Sequence, residues 1–92
     1  MFQTVRYVEE ETEPGRIAPV PTEFEIGRYS SEHLAVYAAR ASMAEYVRSG
    51  RPEYAWWIVR QEGHHLANWI ADSRTRREFV VDLTTSRLVE VA

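Results

Sequence analysis

Three histidines, His33, His64 and His65, are the side chains here best suited to holding a metal or moving a proton near neutral pH. Their spacing argues against both. Neighbouring residues on a strand point to opposite faces, which separates His64 from His65. His33 falls in the first turn of a helix, away from the pair. No set of converging ligands is expected, and no metal or other cofactor. His65 with Glu78 or Asp82 is the one acid–base pairing the strand pattern permits, on an open sheet face that does not exclude water. Nucleophilic catalysis has little to draw on. Lysine and cysteine are absent, and the serines cluster where caps and turns occupy their hydroxyls. Four glycines make no phosphate-binding loop. A non-enzymatic protein is expected.

What remains is an aromatic and arginine-rich surface, centred on Tyr54 to Asp72, YAWWIVRQEGHHLANWIAD, which holds all three tryptophans. Aromatic and β-branched residues on both sides of Gln61-Glu62-Gly63 predict a β-hairpin. A three-residue loop with Gly63 in the left-handed slot would pair Arg60 with His64. A two-residue loop would set Trp56 against Trp69. With the three-residue loop one face carries Tyr54, Trp56, Ile58, Leu66, Asn68 and Ile70. The other carries Ala55, Trp57, Val59, His65, Ala67 and Trp69. A tryptophan on each face means that both need cover, or that one stays open.

The flanking segments must supply that cover. Ser30-Ser31, an alanine-rich interior, then Gly50 and Pro52 punctuate a helix from about Ser31 to Ser49. Its stripe of Val36, Ala39, Met43, Tyr46 and Val47 is expected to face the sheet. Leu34, Tyr37 and Ala41 lie on the opposite side and form a candidate self-association stripe. Phe2 to Val8 alternates weakly as a strand. Residues 9–22 read as an acidic, proline-containing extended loop with a turn at Pro14-Gly15 and an extended run around Pro19 and Pro21. Glu23 to Tyr29 suits an edge strand. After the hairpin, Glu78 to Leu83 and Arg87 to Val91 alternate as two more strands around a Thr84-Thr85-Ser86 turn. The pattern predicts one α+β domain over residues 1–92, with a central helix on an antiparallel meander of four to five strands. Phe79, Val81 and Leu83 are expected to join Trp56, Ile58, Leu66 and Ile70 beneath the helix.

The order helix, strands, then EFVVDLTTSRLVEV resembles the PepSY module, whose last strands carry an acidic residue, a threonine turn and an apolar ending. The resemblance spans about Ser31 to Val91 and implies only the terminal hairpin. Ser86 stands where that turn usually has glycine.

Composition narrows the partners. A net charge of −3 disfavours general binding to a phosphate backbone. All eleven basic residues are arginine, the codon preference of a GC-rich bacterial or phage genome and also a source of forked, stackable donors. No apolar run reaches the ~18 residues of a membrane helix. The start, MFQTVRYVEE, lacks a basic segment followed by an apolar core, so a cytoplasmic location is expected. The expected function is that of a small protein-binding module (an adaptor, regulator or inhibitor) contacting its partner through Trp57, Trp69, His65, Arg74, Arg76 and Arg77. Homodimers through the Leu34–Tyr37–Ala41 stripe are a companion expectation. The alternative is single-stranded nucleic acid, stacked on Trp57 and Trp69 and held by Arg74, Arg76 and Arg77.

Overall fold

Ser31 and Gly50 bracket the helix. Ser31 is extended (φ −128°) and its hydroxyl accepts the Leu34 N–H at 3.2 Å. Gly50 is left-handed (φ 69°), a conformation without steric cost only for glycine, and its N–H returns to the Val47 carbonyl at 3.3 Å. Between them runs α1, Glu32–Ser49. The computed structural model describes residues 1–17, 20–50, 54–72 and 77–90. Pro19, Pro52, Arg74, Arg76 and Val91, used above, lie outside them.

The strands are β1 (Phe2–Val8), β2 (Glu11–Glu13), β3 (Arg16–Ile17), β4 (Thr22–Tyr29), β5 (Ala55–Gln61), β6 (His64–Asp72), β7 (Arg77–Asp82) and β8 (Arg87–Glu90). Six of them form one antiparallel sheet in the order β4-β1-β5-β6-β7-β8, with α1 on one face. The α+β class is as expected, with one or two more strands than anticipated. The increase comes from β1, which is an interior strand paired to both β4 and β5. The acidic connection holds a small hairpin, β2 with β3, turning at Pro14-Gly15.

The β5–β6 hairpin starts in the two-residue-loop register and departs from it at a bulge. Its loop has two residues, Glu62 (φ 49°) and Gly63 (φ 81°), both left-handed as a type I′ turn requires. A bulge then shifts the pairing between Val59 and Arg60, leaving Leu66 as the extra residue, so that Trp57 lies opposite Trp69. The bulge restores the parity that the short loop had exchanged. From Ala67 onward the hairpin faces keep the residues assigned to them from the sequence. His65, which lies opposite Arg60 on the turn side of the bulge, moves to the Trp56 face.

Which face is covered is the reverse of the expectation. The core under α1 consists of Ala35, Ala39, Met43, Tyr46 and Val47 from the helix with Val8, Ala55, Trp57, Val59, Trp69 and Ala71 from the sheet. Small side chains explain the choice. Ala55 and Ala71, an opposed pair, and Ala35 and Ala39 let the helix approach closely while the Trp57 ring fills the space between. Two hydrogen bonds add to this. Trp57 Nε1 donates to Ser42 Oγ at 3.0 Å, and Thr4 Oγ1 donates to the Ala35 carbonyl at 2.9 Å. Phe79 and Val81, expected beneath the helix, lie on the far face with Trp56 and Ile70. Leu83, expected with them, is 47% exposed just past β7.

Trp57 is completely buried and makes a T-shaped ring contact with Tyr46. Trp57→Ala should cost about 3–5 kcal/mol, a large share of the ~5–10 kcal/mol expected for a domain this size. Chemical denaturation followed by circular dichroism will read it directly.

Candidate functional site

The sheet face away from α1 is the surface with unmet requirements. Register places Val5 and Tyr7 of β1, Trp56 and Ile58 of β5, Asn68 and Ile70 of β6, and Phe79 and Val81 of β7 on it. Antiparallel sheets covered on one side usually turn polar residues outward on the other. This one does not. Val5 and Ile58 are buried with no helix over them, and Trp56, Ile70, Phe79 and Val81 are half-buried. Large side chains shield one another here: Tyr7 stacks on Trp56 at 5.6 Å and 14°, and Tyr54 leans on the same indole at 5.9 Å. Among the described residues no second layer crosses this face.

Charged groups flank the apolar strip, and they are paired. Toward β4, Tyr7 Oη donates to Glu23 Oε1 at 2.6 Å and accepts from Arg60 Nη1 at 3.1 Å. Arg60 Nη2 lies 2.9 Å from the same carboxylate. The chain of bonds continues from Arg60 Nε to Gln3, from Gln3 to Glu25, and from Arg28 to Glu25. Toward β8, Arg77 makes a forked pair with Glu90 at 3.0 and 2.7 Å and lies 5.3 Å from the Phe79 ring. Arg28, Arg60 and Arg77 are thus each engaged by a carboxylate of the same face.

This network is ill-suited to proton transfer. Hydrogen bonding to Glu23, then burial, raises the Tyr7 hydroxyl above its ordinary value. The bond from Tyr7 lowers Glu23. Tyr7 is a poorer acid and Glu23 a poorer base than the free side chains.

The residues picked from the sequence are scattered. Trp57 is fully buried and Trp69 is 5% exposed, both beneath α1, so neither is a surface contact and neither can stack a base. The reason is the reversed cover described above. Arg77 is exposed at the rim, while Arg74 and Arg76 lie outside the described residues. His65 is exposed beside the hairpin turn, and so is His64. Asp82, proposed as a partner for His65, instead accepts the Thr84 and Thr85 backbone N–H groups at 2.9 and 3.3 Å, which lowers its pKa. Glu78 lies with His33 and Tyr37 in a groove of about 390 Å³ between α1 and β7. Leu34, Tyr37 and Ala41 are exposed on the outer side of the helix, with Tyr37 at 70%. Among the described residues no three metal-ligating side chains converge.

Trp56, Asn68 and Phe79 were passed over as surface residues. The signal available was the run of alanines, Ala55, Ala67 and Ala71, on one hairpin face. Small residues mark the side a helix can approach. No protein-family model, no curated protein and no solved structure matches this chain, so the PepSY resemblance gains no support.

The sign of the Tyr7 shift is testable. The raised hydroxyl contributes stability below its unfolded value, and that contribution is lost as pH climbs through the folded one. The lowered Glu23 contributes above the ordinary carboxylate range, and its part is lost as pH falls through its depressed value. Glu23→Gln should move the Tyr7 titration, followed by NMR of its ring carbon, downward. An unmoved midpoint would mean that Glu23 is not its hydrogen-bond partner in solution.

Proposed function

We propose that this chain is a small non-enzymatic protein-binding module, an adaptor, regulator or inhibitor in the cytoplasm, whose contact surface is the sheet face around Trp56. One observation carries the reading. A six-stranded sheet has an apolar second face without a covering layer among the described residues. Its anatomy is that of an interface: aromatic and aliphatic residues at the centre, polar and charged pairs at the rim. Tryptophan and tyrosine are the side chains that most often dominate such contacts, and Tyr7, Tyr54 and Trp56 lie together here. The face has no surplus positive charge, because its arginines already hold carboxylates. Phosphate backbones need cations that are free to exchange counterions. The nucleic-acid alternative has also lost its platform, since Trp57 and Trp69 are buried.

The test is retention on the tagged chain, with nuclease, of a second polypeptide, whether a host protein or an untagged copy of this one. Trp56→Ala should weaken retention about tenfold or more while the variant still melts cooperatively. Retention that vanishes with nuclease would favour nucleic acid. Equal retention by a folded Trp56→Ala protein would move the contact surface elsewhere.

A further inference from the structure

We infer that the polypeptide this face takes is a second copy of the same chain, docked sheet to sheet about a two-fold axis that passes close to Asn68. The inference rests on the protein-binding reading of the same face and names its partner.

Asn68 is the observation that points there. It sits on β6 opposite Ile58 of β5, and β5 and β6 are the two middle strands of the six. Its neighbours along the face are apolar, yet its Oδ1 is out of solvent with no donor. A buried acceptor without a partner is costly, and native structures seldom keep one unless another group satisfies it. A carboxamide carries both a donor and an acceptor, so it is complementary to itself. In an isologous dimer a residue near the axis meets its own copy. The terminal torsion of asparagine is soft. A modest turn about it sets the amide N–H of one Asn68 against the carbonyl of the other, reciprocally. A single polar amide in an apolar seam also fixes register, as buried asparagines do in coiled coils.

Charge and size agree with this occupant. Each copy has a net charge of −3, which opposes association, but the charged side chains flanking the apolar strip form matched pairs on both rims. These pairs bring no surplus of either sign to the contact. Six strands at ~4.8 Å spacing, with about seven residues of ~3.3 Å each, give a projected face of roughly 650 Å². Side-chain relief raises the accessible area toward the ~800 Å² that each partner gives to a standard interface. Two twisted sheets packed ~10 Å apart make an ordinary sandwich.

Sedimentation equilibrium of the purified protein alone decides it, because no other partner is present. The expected result is a dimer with a micromolar dissociation constant that goes no further than two. Asn68→Asp, which sets two carboxylates against each other at the axis, should weaken it by about thirtyfold or more. Tyr37→Glu, on the exposed side of the helix, should leave it unchanged. If Asn68→Asp does not fold by circular dichroism, Phe79→Glu at the edge of the same strip takes its place and should weaken the dimer likewise. A wild-type monomer at hundreds of micromolar overturns the inference. So does a larger assembly, or a dimer that Tyr37→Glu breaks and the face variants spare. In each of those cases the protein-binding reading is judged separately, by whether Trp56→Ala releases a retained protein.

Discussion

The fold depends on where the Trp57 indole finds an acceptor. A buried indole N–H without one is a costly defect in a small domain. Ser42, at the middle of the helix, supplies the oxygen at 3.0 Å, and the Tyr46 ring one turn later meets the indole at a steep angle of 74°. Once that contact is made, the helix can lie on only one side of the sheet. The alanines on that side allow the close approach, and the Thr4 hydroxyl anchors the N-terminal half of the helix at the Ala35 carbonyl. Trp56 and Ile70, at the alternate positions of the hairpin, are left on the other side.

That division produces the proposed contact surface as a by-product of packing. The continuous apolar run Ala55–Val59 is what a strand buried on both faces looks like. The helix can satisfy only half of it. On the remaining half the side chains do what they can alone: Tyr7 stacks on Trp56, and Val5 and Ile58 disappear beneath their neighbours. The long polar side chains of Gln3, Arg60, Glu23 and Glu25 bond to one another along the rim. A strip organised in this way presents little free charge and much aromatic area, which suits a protein surface better than a phosphate backbone. Asn68 is its one polar break.

Local punctuation was legible in the chain, and sidedness was not. Ser31 and Gly50 mark the helix because their roles are local: a hydroxyl for an orphan N–H, and a left-handed stop. The hairpin faces were also legible, because alternation sets parity. The predicted three-residue loop reached the correct parity by the wrong route, since a two-residue turn and a bulge add to the same shift. Parity alone cannot say which face meets the helix. That depends on the long-range pairing of Trp57 with Ser42 and on close approach at alanines, neither of which alternation encodes. The interior position of β1 was hidden for a related reason. Its residues alternate weakly because Thr4 and Val5, adjacent and pointing opposite ways, are both fully buried. Choosing Trp57 and Trp69 as contacts followed from the inverted face, and so did overlooking Trp56.

The placement of the helix is the claim on which the surface, the partner and the dimer all rest. Its most direct test is a set of nuclear Overhauser contacts from the three indole rings in the folded protein, measured at a concentration where one species dominates. Trp57 should show contacts to Met43 and Tyr46, and a slowly exchanging indole N–H. Trp56 should show contacts to Tyr7 and none to the helix. Contacts from the Trp56 ring to Met43 or Tyr46, with Trp57 free of the helix, would place the helix on the opposite face and contradict the arrangement.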